Sequence, residues 1–103
     1  MNYFITFDDG ALADLKSIYD YVVENADHDV ADAFVGRIES ACDRLTIFPN
    51  RGTPRDHILP GLRSINFEKR TTIFYSVNGD DVVIVHVLYG GRDIGLAFGL
   101  DAE

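Results

Sequence analysis

The sequence predicts an α+β fold of two layers, a helical hairpin packed on a small, mainly antiparallel sheet, in the order β-α-α-β-β-β. Three observations predict it. Two adjacent stretches repeat apolar residues at steps of three and four. Three β-branched and aromatic stretches follow residue 61, separated by turn residues. One more such stretch precedes the helices. A helical stripe and a sheet face must each be covered, and packing one on the other gives two layers. At 103 residues the chain is a single domain spanning 1–103. With 47% hydrophobic and 12% aromatic residues it has the means to build a core, which excludes wholesale disorder.

The elements can be justified in order. Residues 3–7, YFITF, read as a strand. Asp8 or Asp9 can cap the helix that follows by accepting from free N–H groups of its first turn. Leu12, Leu15, Ile18, Tyr19, Val22 and Val23 share one helical face over residues 10–25. Asp14, Lys16, Asp20 and Glu24 fall off it. Asp27 is a second cap, and Ala31, Phe34, Val35, Ile38, Ala41, Cys42 and Leu45 carry a second helix to about Phe48. Pro49 cannot continue that helix, because it lacks an N–H and clashes with the preceding turn. The two helices form an αα-hairpin. Residues 49–61 hold all three prolines and read as a loop.

Leu62–Phe67 alternates as a strand, and Glu68, Lys69 and Arg70 make a tight connection. Thr71–Val77 is the next strand, and Asn78-Gly79 is a strong hairpin signal because both residues tolerate positive φ. Val82–Tyr89, VVIVHVLY, reads as a central strand buried on both faces, ended by Gly90-Gly91. The tail from Ile94 to Glu103 reads as a weak edge strand or a flexible apolar tail.

The 17 acidic and 9 basic side chains give a formal charge of −8. Residues 1–43 carry −8, residues 44–75 carry +4, and residues 76–103 carry −4. An acidic chain is repelled by bare nucleic acid, which argues against a simple coat protein or sequence-specific binder. The basic middle is a candidate surface for an acidic partner. Seven of the nine cations are arginine, the better fork for carboxylate or phosphate. No apolar run reaches membrane-spanning length, and the N-terminus lacks the basic and apolar regions of a secretory signal. One cysteine, Cys42, makes no internal disulfide, so a cytoplasmic location is expected.

Few constellations carry chemistry. His28, His57 and His86 lack metal-ligand spacing, and neither a metal nor a cofactor is expected. No serine sits in a nucleophile elbow. Asp8-Asp9 and Asp80-Asp81 read as capping and turn residues. Arg63, Arg70 and Arg92 remain, either as strand-end ion pairs, Arg92 with Asp93 among them, or as a phosphate or carboxylate clamp.

Four segments carry a resemblance in order: ALADLKSIYDYV (11–22), DAFVGRIESACDRLTIFPNRGTPR (32–55), GLRSINFEKRTTIFYSV (61–77) and VVIVHVLYGGRD (82–93). Together they cover most of the chain, and the sequence resembles the ParE branch of the RelE/ParE toxin superfamily, the plasmid stabilisation proteins. That resemblance implies a β-α-α-β-β-β sandwich and a toxin of a type II toxin–antitoxin module. It implies inhibition of DNA gyrase and hetero-oligomeric neutralisation by a ParD-type ribbon-helix-helix antitoxin. The expected antitoxin dock is the apolar groove beside the hairpin, with Leu15, Ile18, Tyr19, Val22, Phe34 and Ile38. The expected target contacts are Arg63, Arg92, Asp93 and Phe98. No catalytic residue follows from the gyrase reading. RelE-type relatives imply an alternative, a metal-independent messenger ribonuclease acting at the ribosome. Arg63, Arg70 and Arg92 would then hold phosphate, and His86 or Tyr89 would move a proton. The tail after Arg92 contains no Lys, Arg, His or Tyr, which departs from that pattern. A third reading is a non-toxic binding module that keeps only the antitoxin contact.

Overall fold

A computed structural model describes residues 2–68, 70–92 and 94–100. Its elements are β1 (Phe4–Phe7), α1 (Asp9–Asn25), α2 (His28–Asp43), β2 (Thr53–Pro54), β3 (Arg63–Phe67), β4 (Thr71–Asn78), β5 (Asp81–Tyr89) and α3 (Ile94–Ala97). The five strands form one sheet in the order β1-β5-β4-β3-β2. The β3-β4-β5 meander is antiparallel and β1 joins the outer side of β5 in parallel. This is the expected α+β sandwich.

The helices pack on one face of the sheet. Ala11, Leu15, Ile18 and Val22 of α1 and Ala31, Ile38, Ala41 and Cys42 of α2 are buried with Ile73, Tyr75, Val82, Ile84 and Val87 of the sheet. Leu12, assigned to the apolar stripe from its spacing, is instead half exposed. The other face is covered by a smaller cluster, Leu62, Phe74 and Leu88, with Ile58, Val85, Ala97 and Phe98 against it.

A bulge in β5 decides which side chains reach which face. Phe74 pairs with His86 but Tyr75 pairs with Ile84, so Val85 is an extra residue. Val82 and Ile84 face the helices before it, and Val87 faces them after it. The inserted residue shifts the period-two alternation by one, which is why this run reads in sequence as apolar throughout.

Several boundaries differ from the sequence reading. Asp8 occupies the cap position of α1 without a side-chain cap bond, whereas Asp27 caps α2 by accepting from the Val30 N–H at 2.8 Å. The second helix ends at Asp43, not Phe48; a 3-10 turn over Arg44–Thr46 takes its place. The 49–61 loop contains β2, which pairs with β3 and closes the far edge of the sheet. It is held by the Tyr75 hydroxyl, which accepts from the Gly52 N–H at 2.9 Å. Within the tail, Ile94–Ala97 is helical and not an edge strand, because Ala97 and Phe98 turn onto the apolar cluster around Phe74.

Candidate functional site

The corner where β5 ends gathers the polar side chains. β1 pairs only as far as Phe7 with Ile84, so among the described residues the outer edge of β5 beyond that point has no strand beside it. The chain enters α1 two residues later and lays the helix over this edge. Asp14 of α1 then does a strand's work: its Oδ2 accepts from the Val87 backbone N–H at 2.9 Å. The same oxygen lies 2.7 Å from His86 Nδ1. An ionised carboxylate only accepts, so the imidazole proton facing it sits on Nδ1. Gly10 makes room for the ring, since a Cβ there would come within 2.8 Å of His86 Cε1. Phe98 packs edge-on against His86, with ring centroids 4.9 Å apart.

Past Tyr89 the backbone runs through Gly90 (φ 70°) and Gly91 (φ 82°), a left-handed path that glycine takes without strain, and delivers Arg92. Arg70 arrives from the β3–β4 connection, its carbonyl accepting from the Gly90 N–H at 2.9 Å. Its guanidinium lies 5.8 Å from the Tyr89 ring centroid, within cation–π range. Arg70, Arg92, Tyr21, Tyr89 and Asp14 line a cleft of about 300 Å³. A row of rings floors this end of the molecule: Tyr21 to Tyr89 at 5.9 Å, Tyr89 to Phe34 at 5.5 Å, Phe34 to Phe67 at 6.3 Å.

The electrostatics are lopsided. The carboxylates at the rim are engaged, Asp14 by His86 and Val87, Glu68 by Arg37. Among the described residues neither the Arg70 nor the Arg92 guanidinium has a carboxylate within ion-pair distance. An adjoining hollow shares Arg70 and Tyr89 and is lined also by Thr71. The Thr71 hydroxyl is buried and has no hydrogen-bond partner among the described residues.

Of the residues singled out from sequence, Arg70, Tyr89 and Arg92 come together here. His86 lies beside them, in a hollow shared with Arg92 and Asp14. Arg63 does not join them. It sits on β3, and its Nη1 donates to the carbonyls of Asn50 at 2.9 Å and Gly52 at 2.7 Å, which ties the 49–61 loop to the sheet. Phe98 is half-buried against Phe74 and His86 instead of standing out toward a target. Asp93 lies outside the described residues. Four of the six residues expected to line the antitoxin groove, Leu15, Ile18, Val22 and Ile38, are buried in the core, because the hairpin's apolar stripe is consumed by the sheet. Tyr19 and Phe34 keep partial exposure. Asp14, Thr71 and Tyr21 were not singled out. Asp14 and Tyr21 have no spacing to mark them, and Thr71 is one threonine of a strand pair; only tertiary packing reveals them.

Comparison with known proteins places this geometry. The family described as the ParE toxin of the type II toxin–antitoxin system parDE matches residues 5–94. Toxin ParE3 of Caulobacter vibrioides is 38% identical over 86 residues, covering 84% of this chain and 85% of that protein. Toxin ParE1 of Mycobacterium tuberculosis is 31% identical over 85 residues, covering 82% of this chain and 86% of its own. A structure of a chromosomal ParDE toxin–antitoxin system from P. aeruginosa superposes with a TM-score of 0.74 at 25% identity, over 84% of this chain and 95% of that one. A chain of the RelBE2 toxin–antitoxin complex from Mycobacterium tuberculosis shares the fold, with a TM-score of 0.68 at 19% identity, over 87% of this chain and all of that one.

Proposed function

The chain belongs to the ParE toxin family of type II toxin–antitoxin systems, and from that membership we propose that it inhibits DNA gyrase and is neutralised by a ParD-type ribbon-helix-helix antitoxin. The observation that carries this reading is the family match over residues 5–94, which runs through both helices and the whole meander. The fold offers a partner two kinds of purchase. One is the partly exposed Tyr19 and Phe34 of the hairpin, both packed against the edge of the core. The other is the aromatic and arginine-rich corner of Tyr21, Arg70, Tyr89 and Arg92. An acidic, apolar segment of an antitoxin complements the second by charge and by ring contacts. The chain is expected to act in the cytoplasm, where gyrase is found.

One observation supports a second reading. Arg70, Tyr89 and Arg92 line one cleft, the grouping a RelE-like, metal-independent messenger ribonuclease would use to hold phosphate. Against it, His86 Nδ1 is tied to Asp14 and Arg63 is tied to backbone carbonyls.

Controlled expression in bacteria, alone and with a ParD-type neighbour, tests the proposal. Growth arrest with a DNA-damage response, reversed by the neighbour, is the expected result. Arrest with messenger cleavage and no damage response favours the ribonuclease. Absence of arrest favours a binding module without a target.

A further inference from the structure

A second basic surface lies where α2 runs out. Residues 44–67 hold four arginines and a single carboxylate, Asp56. Tertiary contacts occupy part of this set. Arg63 is tied to the Asn50 and Gly52 carbonyls, Arg55 Nε donates to the Ser64 hydroxyl at 2.9 Å, and Asp56 accepts from the Gly61 N–H at 2.8 Å. Arg44 and Arg51 are exposed, and among the described residues neither has a carboxylate within ion-pair distance. Between them Ile47 and Phe48 turn outward, each 67% exposed, while Leu45 and Pro49 on either side are buried. The four exposed residues occupy two successive turns. The Ile47 N–H donates to the Arg44 carbonyl at 3.2 Å, and the Arg51 N–H to the Phe48 carbonyl at 3.2 Å. Both turns are pinned: the Thr46 hydroxyl donates to the Asp43 carbonyl at 2.8 Å, and Gly52, next after Arg51, is held by Tyr75.

From this we infer that Arg44, Ile47, Phe48 and Arg51 form a docking surface for a short acidic protein segment with an apolar anchor. Aromatic and arginine side chains are enriched where proteins bind one another, and lysine, which is depleted there, is absent from residues 17–68. A pinned turn has little ordering left to lose when a partner arrives. Each guanidinium offers a fork to a carboxylate, and Phe48 offers an apolar face between them. Arg44 also lines a hollow beside α2 that holds Asp32 and Glu68. Those carboxylates turn an acidic chain away from α2, so the surface suits a segment centred on Phe48. A nucleic acid fits less well, because its charge is continuous and residues 1–43, which end beside Arg44, carry −8. The chain leaves Arg51 for β2, on the far side of β3 and β4 from β5, so this surface is separate from the β5 corner. The surface goes beyond the toxin reading and does not depend on the cellular target.

Fluorescence anisotropy and amide NMR shifts on the purified full chain test it. The probe is a short synthetic peptide in which Glu and Asp flank a Leu-Phe pair. One control peptide replaces the acids by Gln and Asn, and another replaces Leu-Phe by Gly-Ser. Saturable binding of the probe is expected, weakened by added salt, with each control about tenfold weaker or more. Amide shift changes are expected to centre on residues 44–51. Phe48→Ser and Arg51→Gln are each expected to weaken binding about fivefold or more, the loss of one anchor or one charge-assisted contact. Both side chains are exposed, so the Tm of each variant stays at the parental value, which separates lost binding from lost fold. Lys16→Gln removes the same charge from an exposed position on α1 and leaves binding unchanged. Equal affinity for the probe and both controls, no saturation, parental affinity in both variants, or shift changes confined to the Arg70 and Arg92 cleft overturns the surface. A single-stranded oligonucleotide that binds more tightly than the probe and shifts the same amides overturns the protein partner in favour of nucleic acid.

Discussion

Tyr75 is a residue whose role lies in one hydrogen bond. It is fully buried, and its hydroxyl accepts from the Gly52 N–H. Tyr75→Phe leaves that N–H without a partner and is expected to cost about 1–3 kcal/mol in denaturant unfolding. Gly52→Ala is expected to cost a similar amount, about 1–3 kcal/mol. Its Cβ would stand 2.5 Å from the Tyr75 Oη and 3.0 Å from the Ser64 carbonyl, and the backbone atom cannot move aside. Burial raises the Tyr75 phenol above its usual 10.0, with the Gly52 bond and the arginine charges pulling the other way. The folded chain therefore holds this proton more tightly than the unfolded chain. The stabilisation is complete below pH 10 and is lost as pH climbs past it. Tyr75→Phe should show a shallower fall in stability above pH 10 than the parent; parallel curves would contradict the assignment. Cys42 follows the same logic. Burial pushes its thiol up to about 12, so no thiolate forms near neutrality. Alkylation at pH 8 is expected only on unfolding, and rapid modification of the native chain would contradict the core placement. The sequence showed Cys42 as core from its position on the helical stripe. It gave no hint of the Tyr75–Gly52 contact, which joins residues 23 apart in sequence.

Among the elements, those with strong periodicity were legible and those fixed by tertiary contact were not. The two helices and the three-stranded meander follow from spacing and turn chemistry, and Asp27 caps as its type predicts. Asp27→Ala is expected to cost about 1 kcal/mol, read as a drop in Tm. The two-residue strand β2 was illegible, because two residues carry no period and β2 exists only through its pairing with β3. The helical turn α3 matches neither alternative the sequence offers for the tail, a weak edge strand or a flexible apolar tail. Alternation of Leu96, Phe98 and Leu100 suggested a period of two, but Leu96 is 82% exposed while Phe98 packs inward, a pattern no alternating strand produces. The β5 bulge was hidden by the all-apolar composition of its strand. The open edge that Asp14 satisfies begins where β1 stops pairing, at Phe7 with Ile84. Asp14→Ala is expected to destabilise the fold by about 1–3 kcal/mol, because the Val87 N–H loses its acceptor. Amide exchange at Val87 should rise more than at β4 residues. Uniform exchange across the sheet would assign the loss to α1 in general and not to this bond.

At the scale of the whole molecule, the sandwich uses up most of the hairpin's apolar stripe and leaves an arginine- and tyrosine-lined corner open at the end of β5. The sequence marked the arginines of that corner by type. Of the six residues it points to for the antitoxin groove, the sheet buries Leu15, Ile18, Val22 and Ile38 and leaves Tyr19 and Phe34 partly exposed, because a helical stripe alone does not say which layer claims it. Charge separates the regions of the surface: an acidic helical half and a corner where Arg70 and Arg92 stand unpaired among the described residues. Such a distribution favours association with anionic partners where arginines gather and repels them elsewhere. The central claim is that this ParE-family chain acts on gyrase. The most direct test incubates the purified chain with gyrase, ATP and relaxed plasmid, with and without a ParD-type antitoxin. Loss of supercoiling with accumulation of cleaved DNA, both reversed by the antitoxin, is the predicted result. Unimpaired supercoiling at every toxin concentration, with cleavage of ribosome-bound messenger by the same preparation, would contradict it.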